Sequence, residues 1–307
     1  MTYTAIPNWL KGKYVDEISP RREVNKCPWC GSEKKSKWGN IVRGFLANEC
    51  LECNLVYIAN PLSSEAQSLY YEHYPKLVHQ LKDDDRDPKE HGKSTIANRN
   101  IMYDLEAKSI LKCHKRYKED LSGLKILDVG CAGGQFLDSF KKYGLKTYGI
   151  DLIDQNSAEH NLLKGSFLEY QFKQKFDFIT FRGVMEHLEA PKTFLERSFD
   201  LLADPDSIVA ITSTPNLSSP AAQFFKEKWT LHGPESHILH LSPDHFHKYF
   251  ESRGFRCIKE EYPYSSTPYS SFKEDIKIFA DFLNNQDNYE KSPPFFESMM
   301  TLCFEKI

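Results

Sequence analysis

The run ILDVGCAGGQFL, Ile126 to Leu137, constrains this chain more than any other segment. Ile126 to Val129 is a short apolar stretch interrupted only by Asp128, the pattern of a strand buried on both faces. A glycine-dense turn follows and opens an amphipathic helix at Gln135, ended by Gly144. The same alternation continues downstream. Lys125 to Val129, Lys146 to Ile150, Phe176 to Phe181 and Ser207 to Ser213 read as strands, with a helix starting near Pro191, where proline is tolerated in the first turn. Ser242 to Ser252 reads as a helix with Ser242 as its cap, stopped by Gly254; Phe255 to Tyr262 and Met299 to Ile307 read as closing strands. Strand and helix in alternation predict an α/β domain around a largely parallel sheet.

The glycine turn narrows the ligand. A dinucleotide fingerprint beginning at Gly130 needs glycine at positions 132 and 135, which are Ala132 and Gln135, and the phosphate-binding GxxxxGK[ST] is absent. Asp128 stands two residues before the first glycine. A carboxylate there repels a pyrophosphate but suits a ligand carrying an ammonium and a sulfonium. A second acid, Asp151, follows the next strand twenty-one positions after Gly130, a spacing suited to accepting hydrogen bonds from the ribose of an adenosine-containing ligand.

These residues resemble the class I S-adenosylmethionine-dependent methyltransferases, over roughly Leu121 to Gly254. The resemblance implies a Rossmann-like seven-stranded sheet. It also implies that Asp128, Gly130, Cys131, Ala132 and Gly134 hold the methionine part of S-adenosylmethionine, with Asp151 and Leu152 at the ribose. GSFLEY, with Ser166 and Phe167, flanks the adenine, and Arg182, Gly183 and His187 line the reacting end. Ala132 replaces the usual middle glycine, and Ser166 stands where an acid is often found.

In FRGVMEHLEAP, Glu186 and His187 follow the fourth strand, whose carboxyl end faces the ligand crevice in such sheets, so both are expected near the reacting methyl as candidate catalytic residues. An imidazole titrates near neutrality and can take a hydroxyl proton, so His187 is a candidate base or a wall of the pocket. Thr214 to Pro243 is too long for a plain connector and carries Trp229, His232, His237 and His240. It resembles a subgroup with a TPN turn, a Trp and an HxxH segment facing the acceptor, which makes His237 and His240 further candidate bases; the alternative is that they cap the next helix.

Cys27, Cys30, Cys50 and Cys53 form two CxxC pairs with nineteen residues between them. That spacing reads as a four-thiolate structural zinc site, closed to water and so not catalytic. The other four cysteines, Cys113, Cys131, Cys257 and Cys303, are scattered and read as reduced thiols.

The expected organisation is an N-terminal zinc ribbon over 1–61, a helical linker or lid over 62–120 with Tyr74 as a contact to the cofactor, and a methyltransferase domain over 121–307 with acceptor-side insertions at 214–243 and 263–297. At 307 residues and a net charge of −3, the chain offers no overall electrostatic reason to bind nucleic acid, and no stretch approaches the roughly 18 apolar residues of a membrane span. A cytoplasmic location is the default expectation. The ribbon followed by this domain type resembles bacterial enzymes acting on sugars and other small metabolites, so the expected partner is a small-molecule acceptor, with a sugar or sugar-nucleotide hydroxyl first among the classes. An RNA methyltransferase using the ribbon as a basic platform is the main alternative; Lys26, Lys34, Lys35, Lys37 and Arg43 favour it and Glu23, Glu33, Glu49 and Glu52 offset them. A non-catalytic cofactor-binding protein is the second.

Overall fold

The computed structural model describes residues 20–68, 70–71, 96–153, 159–286, 292 and 295–307. The chain divides into two compact units. One combines residues 1–98, 215–242 and 264–298; the other combines 99–214, 243–263 and 299–307.

The second unit contains the sheet. Its strands are β4 (Lys125–Val129), β5 (Lys146–Asp151), β6 (Asn161–Lys164), β7 (Phe178–Arg182), β8 (Ile208–Pro215), β10 (Phe255–Glu261) and β11 (Met299–Lys306). They lie in the order β10-β11-β8-β7-β4-β5-β6. β4 pairs in parallel with both β5 and β7, β5 with β6, and β7 with β8, whereas β10 and β11 pair antiparallel. The reversal of direction in the chain path on either side of β4 puts a crevice at the carboxyl ends of β4 and its neighbours, the position where such sheets bind ligands. This is the Rossmann-like seven-stranded architecture expected of the sequence.

Helices α1 (Ile96–Leu111), α2 (Gln135–Lys141), α3 (Pro191–Asp200) and α5 (Pro243–Glu251) belong wholly or mainly to this unit. Ala107, Ile110 and Leu111 of α1 share a fully buried cluster with Ile126, Phe136, Leu137, Phe140, Phe178, Ile208 and Cys303. The predicted lid therefore needs correction where it is described: α1 is a core helix, held by three apolar side chains spaced three and four apart on one face. Tyr74, the expected lid contact, lies outside the described residues.

The first unit builds a four-stranded antiparallel sheet from β1 (Lys35–Lys37), β2 (Ala47–Cys50), β3 (Val56–Ile58) and β9 (Leu239–His240). The ribbon is thus not a domain of its own. β9 comes from the segment after β8 and pairs Val56 with His240 and Tyr57 with Leu239. Leu217, from the same segment, joins Trp38, Phe45, Val56 and Ile58 in the ribbon's core. The second insertion supplies α6 (Phe272–Asn284), whose Phe282 stacks on Phe225 of α4 (Pro220–Phe225) at 4.1 Å between ring centres. A forty-residue ribbon cannot bury enough surface alone, and Leu217 and β9 extend its core, while Phe225 and Phe282 belong to a second cluster with Ala221, Ala222 and Trp229.

Candidate active site

At the end of β4 the chain turns through Gly130, Ala132 and Gly134 with φ of +74°, +45° and +82°. A side chain at Gly130 would meet Val184 Cγ2 at 2.7 Å, and one at Gly134 would meet His160 Cδ2 at 2.9 Å, so both positions require glycine for space as well as for conformation. Ala132 takes the left-handed conformation despite its Cβ, and its N–H donates to Asp151 Oδ2 at 2.9 Å. Asp151 Oδ1 accepts from Ile153 N–H at 3.0 Å. The carboxylate at the end of β5 is therefore aimed by two backbone donors, one on each oxygen. Each oxygen keeps a second lone pair for a further donor.

Asp128 is buried, and Thr180 Oγ1 donates to its Oδ1 at 2.7 Å. Burial pushes this carboxyl up to about 7, against the opposing effects of the Thr180 hydrogen bond and the Arg182 charge. Thr180 was not singled out from the sequence, although its register partner on β4 is Asp128, which the parallel pairing of two alternating strands could have indicated.

Cys131 packs its sulfur beneath the turn, where a side chain at Gly149 would meet it at 2.5 Å. Burial and the nearby Asp128 and Asp151 charges push its thiol up, so it stays a neutral apolar filler. Leu152 is exposed. Phe167 changes role as a side chain: its ring stacks on Phe194 at 5.7 Å and meets Phe181 edge-on at 5.9 Å, so it is committed to packing. Ser166 beside it is half-buried and its carbonyl accepts from the Glu169 and Tyr170 N–H groups.

Arg182 also changes role. Its Nε donates to Glu106 Oε2 at 2.6 Å, and its guanidinium lies over the rings of Tyr103 at 4.5 Å and Phe136 at 5.4 Å. The charge is committed to α1, so this residue ties the helix to the end of β7. Glu106 carried no signal in the sequence, being one polar residue among many on a helix.

Gly183 follows with φ +60°, and Met185–His187 forms a single 3-10 turn. Glu186 is buried, its Oε2 has no hydrogen-bond partner among the described residues, and burial pushes its carboxyl up to about 8. Burial therefore favours the neutral carboxyl over the carboxylate that a general base requires. His187 is half-buried at the carboxyl edge of β7.

The remaining candidates sit in the first unit. His240 is fully buried, shares a 2.8 Å hydrogen bond between its Nε2 and His232 Nδ1, and packs against Trp38 and Trp229. Burial and His232 hold its pKa well below the ordinary value. A ring locked in the core cannot exchange a proton with a substrate, so His240 is corrected from candidate base to structural residue. His232 beside it is held down to about 3, mainly by burial. His237 is different, because its Nδ1–H donates to Leu231 O at 2.7 Å. That bond leaves Nε2 as the proton-accepting nitrogen of the neutral ring.

The four ribbon cysteines converge. Their sulfurs all lie within 4.8 Å of one another, with Cys27 to Cys53 and Cys30 to Cys50 each at 3.5 Å. Each pair sits on a matching turn. Gly31 N–H donates to Cys27 O and Asn54 N–H to Cys50 O, both at 2.9 Å, with Gly31 and Asn54 at positive φ. A tetrahedral ion with metal–sulfur bonds of about 2.3 Å separates its sulfurs by roughly 3.8 Å, which this set accommodates with little motion.

Comparison with known proteins agrees with the fold. A family described as "Methyltransferase domain" matches residues 73–260. The chain is 25% identical over 176 residues to a ubiquinone biosynthesis O-methyltransferase of Nitrobacter winogradskyi, covering 52% of this chain and 66% of that protein. It is 31% identical over 109 residues to the mitochondrial ubiquinone biosynthesis O-methyltransferase of Bos taurus, covering 30% of this chain and 29% of that one. The matches thus span less than two thirds of these relatives. Among solved structures, the 1,6-didemethyltoxoflavin-N1-methyltransferase of Burkholderia thailandensis, with S-adenosylhomocysteine bound, superposes with a TM-score of 0.52 at 13% identity over 88% of this chain and 99% of its own. The magnesium protoporphyrin IX methyltransferase of Synechocystis PCC 6803 gives 0.50 at 11% identity, over 78% and 96%. With a family match over more than half its length and a sheet in the order of that fold, the chain belongs to the methyltransferase domain family.

Proposed function

We propose that the protein transfers the methyl group of S-adenosylmethionine to an oxygen of a small-molecule acceptor. The observation that carries this reading is the pair of carboxylates, Asp128 and Asp151, set at the ends of adjacent strands on either side of a turn too tight for side chains at Gly130 and Gly134. Asp151, aimed by the Ala132 and Ile153 amides, would hold the ribose hydroxyls. Asp128, ionised on binding, would face the ammonium. The turn backbone fits the methionine part, and Ser166 with the Phe167 backbone would lie toward the adenine. Bound S-adenosylmethionine supplies an electrophilic methyl on a cationic sulfur; the chain positions the acceptor in line with it and excludes water. His187, at the carboxyl end of β7 in the sheet unit, is the imidazole proposed to take the acceptor proton.

The relatives' names favour an oxygen acceptor, since both aligned proteins are O-methyltransferases. A sugar or sugar-nucleotide hydroxyl is the acceptor class we favour, from the resemblance of the ribbon-bearing sequence to enzymes of small-metabolite pathways. The four thiols are proposed to hold a structural zinc ion. Among the described residues no helix is long and apolar enough to cross a membrane.

Incubating the protein with methyl-labelled S-adenosylmethionine and separate pools of sugar nucleotides, phenols and bulk RNA tests the reading. Label in the sugar-nucleotide pool supports it in full; label in the phenols keeps the reaction and replaces the acceptor; label in RNA overturns it.

A further inference from the structure

On the outer edge of the sheet, separated from β4 by three strands, β10 carries an irregularity. Its register against β11 shifts between Cys257 and Lys259, so that Cys257 opposes Phe304, Lys259 opposes Cys303 and Glu260 opposes Leu302. Residues 257 and 260 of a regular strand point to opposite faces, because the side-chain period is two. The extra residue, Ile258, changes this. Phe304 and Leu302 are two apart on β11 and share a face, so their partners Cys257 and Glu260 share it as well. Ile258 packs instead against the buried cluster that contains α1.

The face shared by Cys257 and Glu260 is the one covered by α5. Phe250 of α5 stacks on Phe304 at 3.8 Å, and His247, one turn earlier, meets the same ring edge-on at 5.8 Å. His247 Nε2 lies 2.6 Å from Glu260 Oε2. The His247 nitrogen, the Cys257 sulfur and a Glu260 oxygen all fall within 4.8 Å of one another. The Tyr262 hydroxyl donates to the other carboxylate oxygen, Oε1, which orients Glu260 from behind.

We propose that His247, Cys257 and Glu260 form a second, three-ligand site for a zinc-class divalent ion, independent of the four-thiolate cluster and of the cofactor turn. Imidazole, thiolate and carboxylate are the donor types zinc takes, and three protein ligands leave one coordination position for water or a further ligand. The thiolate and carboxylate together balance a dication. The bulge does the assembling: without Ile258 the sulfur and the carboxylate would stand on opposite sides of the strand. Binding would clamp α5 to β10, since one ligand comes from the helix and two from the strand.

The test is zinc stoichiometry by elemental analysis on the full-length protein, equilibrated with excess zinc and passed through a desalting column, for the wild type, His247→Gln and Cys257→Ser. Both substitutions preserve size at half-buried positions, and a melting curve for each checks folding. The wild type should retain one more zinc per chain than either variant; occupancy of the four-thiolate cluster cancels in that difference. Zinc should also raise the melting temperature of the wild type more than that of His247→Gln. Equal zinc content in all three proteins would overturn the proposal and leave His247–Glu260 as a hydrogen bond between helix and strand.

Discussion

Asp128 and Glu186 are two buried carboxyls toward the carboxyl ends of the adjacent strands β4 and β7, and burial gives them different uses. Asp128, pushed up to about 7, is balanced between its two forms near neutrality. A cationic ligand favours the carboxylate, so binding should release a proton and affinity for S-adenosylmethionine should rise as pH increases through about 7. Titration calorimetry at several pH values in buffers of different ionisation enthalpy checks this; affinity independent of pH would remove Asp128 from the cofactor site. Glu186 is pushed from 4.5 to about 8, so folding is penalised for its charge once the unfolded chain ionises. Its stabilising, protonated form is fully present below about pH 4.5 and is lost as pH rises through about 8. Glu186→Gln should therefore match the wild type in melting temperature near pH 4.5 and exceed it near pH 8, which thermal scans across that range would read. The first of these acids was legible as a site residue because it interrupts an apolar strand before glycine. Burial, which decides what each acid does, is a tertiary property and carried no local signal.

At the scale of elements, four of the five strands in parallel pairing, β4, β5, β7 and β8, were read from the sequence to within two residues, because an apolar run between a glycine or proline punctuation and a helix has few alternatives. The fifth, β6, was not named, nor were β9 and the short ribbon strands β1, β2 and β3. β9 is two residues long, and its pairing partner β3 lies far away in sequence, so no window of sequence contains the pattern. The same distance hid the partner of Arg182. Its ion pair with Glu106 joins β7 to α1, and Glu106 is 3% exposed. Arg182→Ala should cost about 3–5 kcal/mol by leaving a buried charge unpaired. Adding Glu106→Gln should recover part of that loss, and chemical denaturation of the two single variants and the double variant measures the coupling. A cost near zero for Arg182→Ala would show that the pair is not holding α1.

For the whole molecule, the expectation of three consecutive domains gave way to two units assembled from interleaved segments. The ribbon shares its unit with both insertions, and that arrangement was not legible because each piece is too short to reveal what it packs against. It has a consequence for the thiol cluster. Replacing Cys27 and Cys30 with serine should abolish metal retention there and destabilise the unit containing residues 215–242, while the sheet unit, with its own core, still folds. Metal analysis combined with hydrogen exchange on the double variant separates the two effects; metal retained by the four-thiolate cluster would contradict its assignment, and uniform loss of protection in both units would contradict their independence.

The central claim is that the Gly130–Gly134 turn and Asp151 bind S-adenosylmethionine. Calorimetric titration of the wild type and Asp151→Ala with S-adenosylmethionine, and with NAD as a control, tests it most directly. The account predicts binding of S-adenosylmethionine alone, weakened about ten- to hundredfold in the variant by loss of hydrogen bonds to a charged acceptor. Binding of NAD in preference, or affinity for S-adenosylmethionine unchanged in Asp151→Ala, would contradict it.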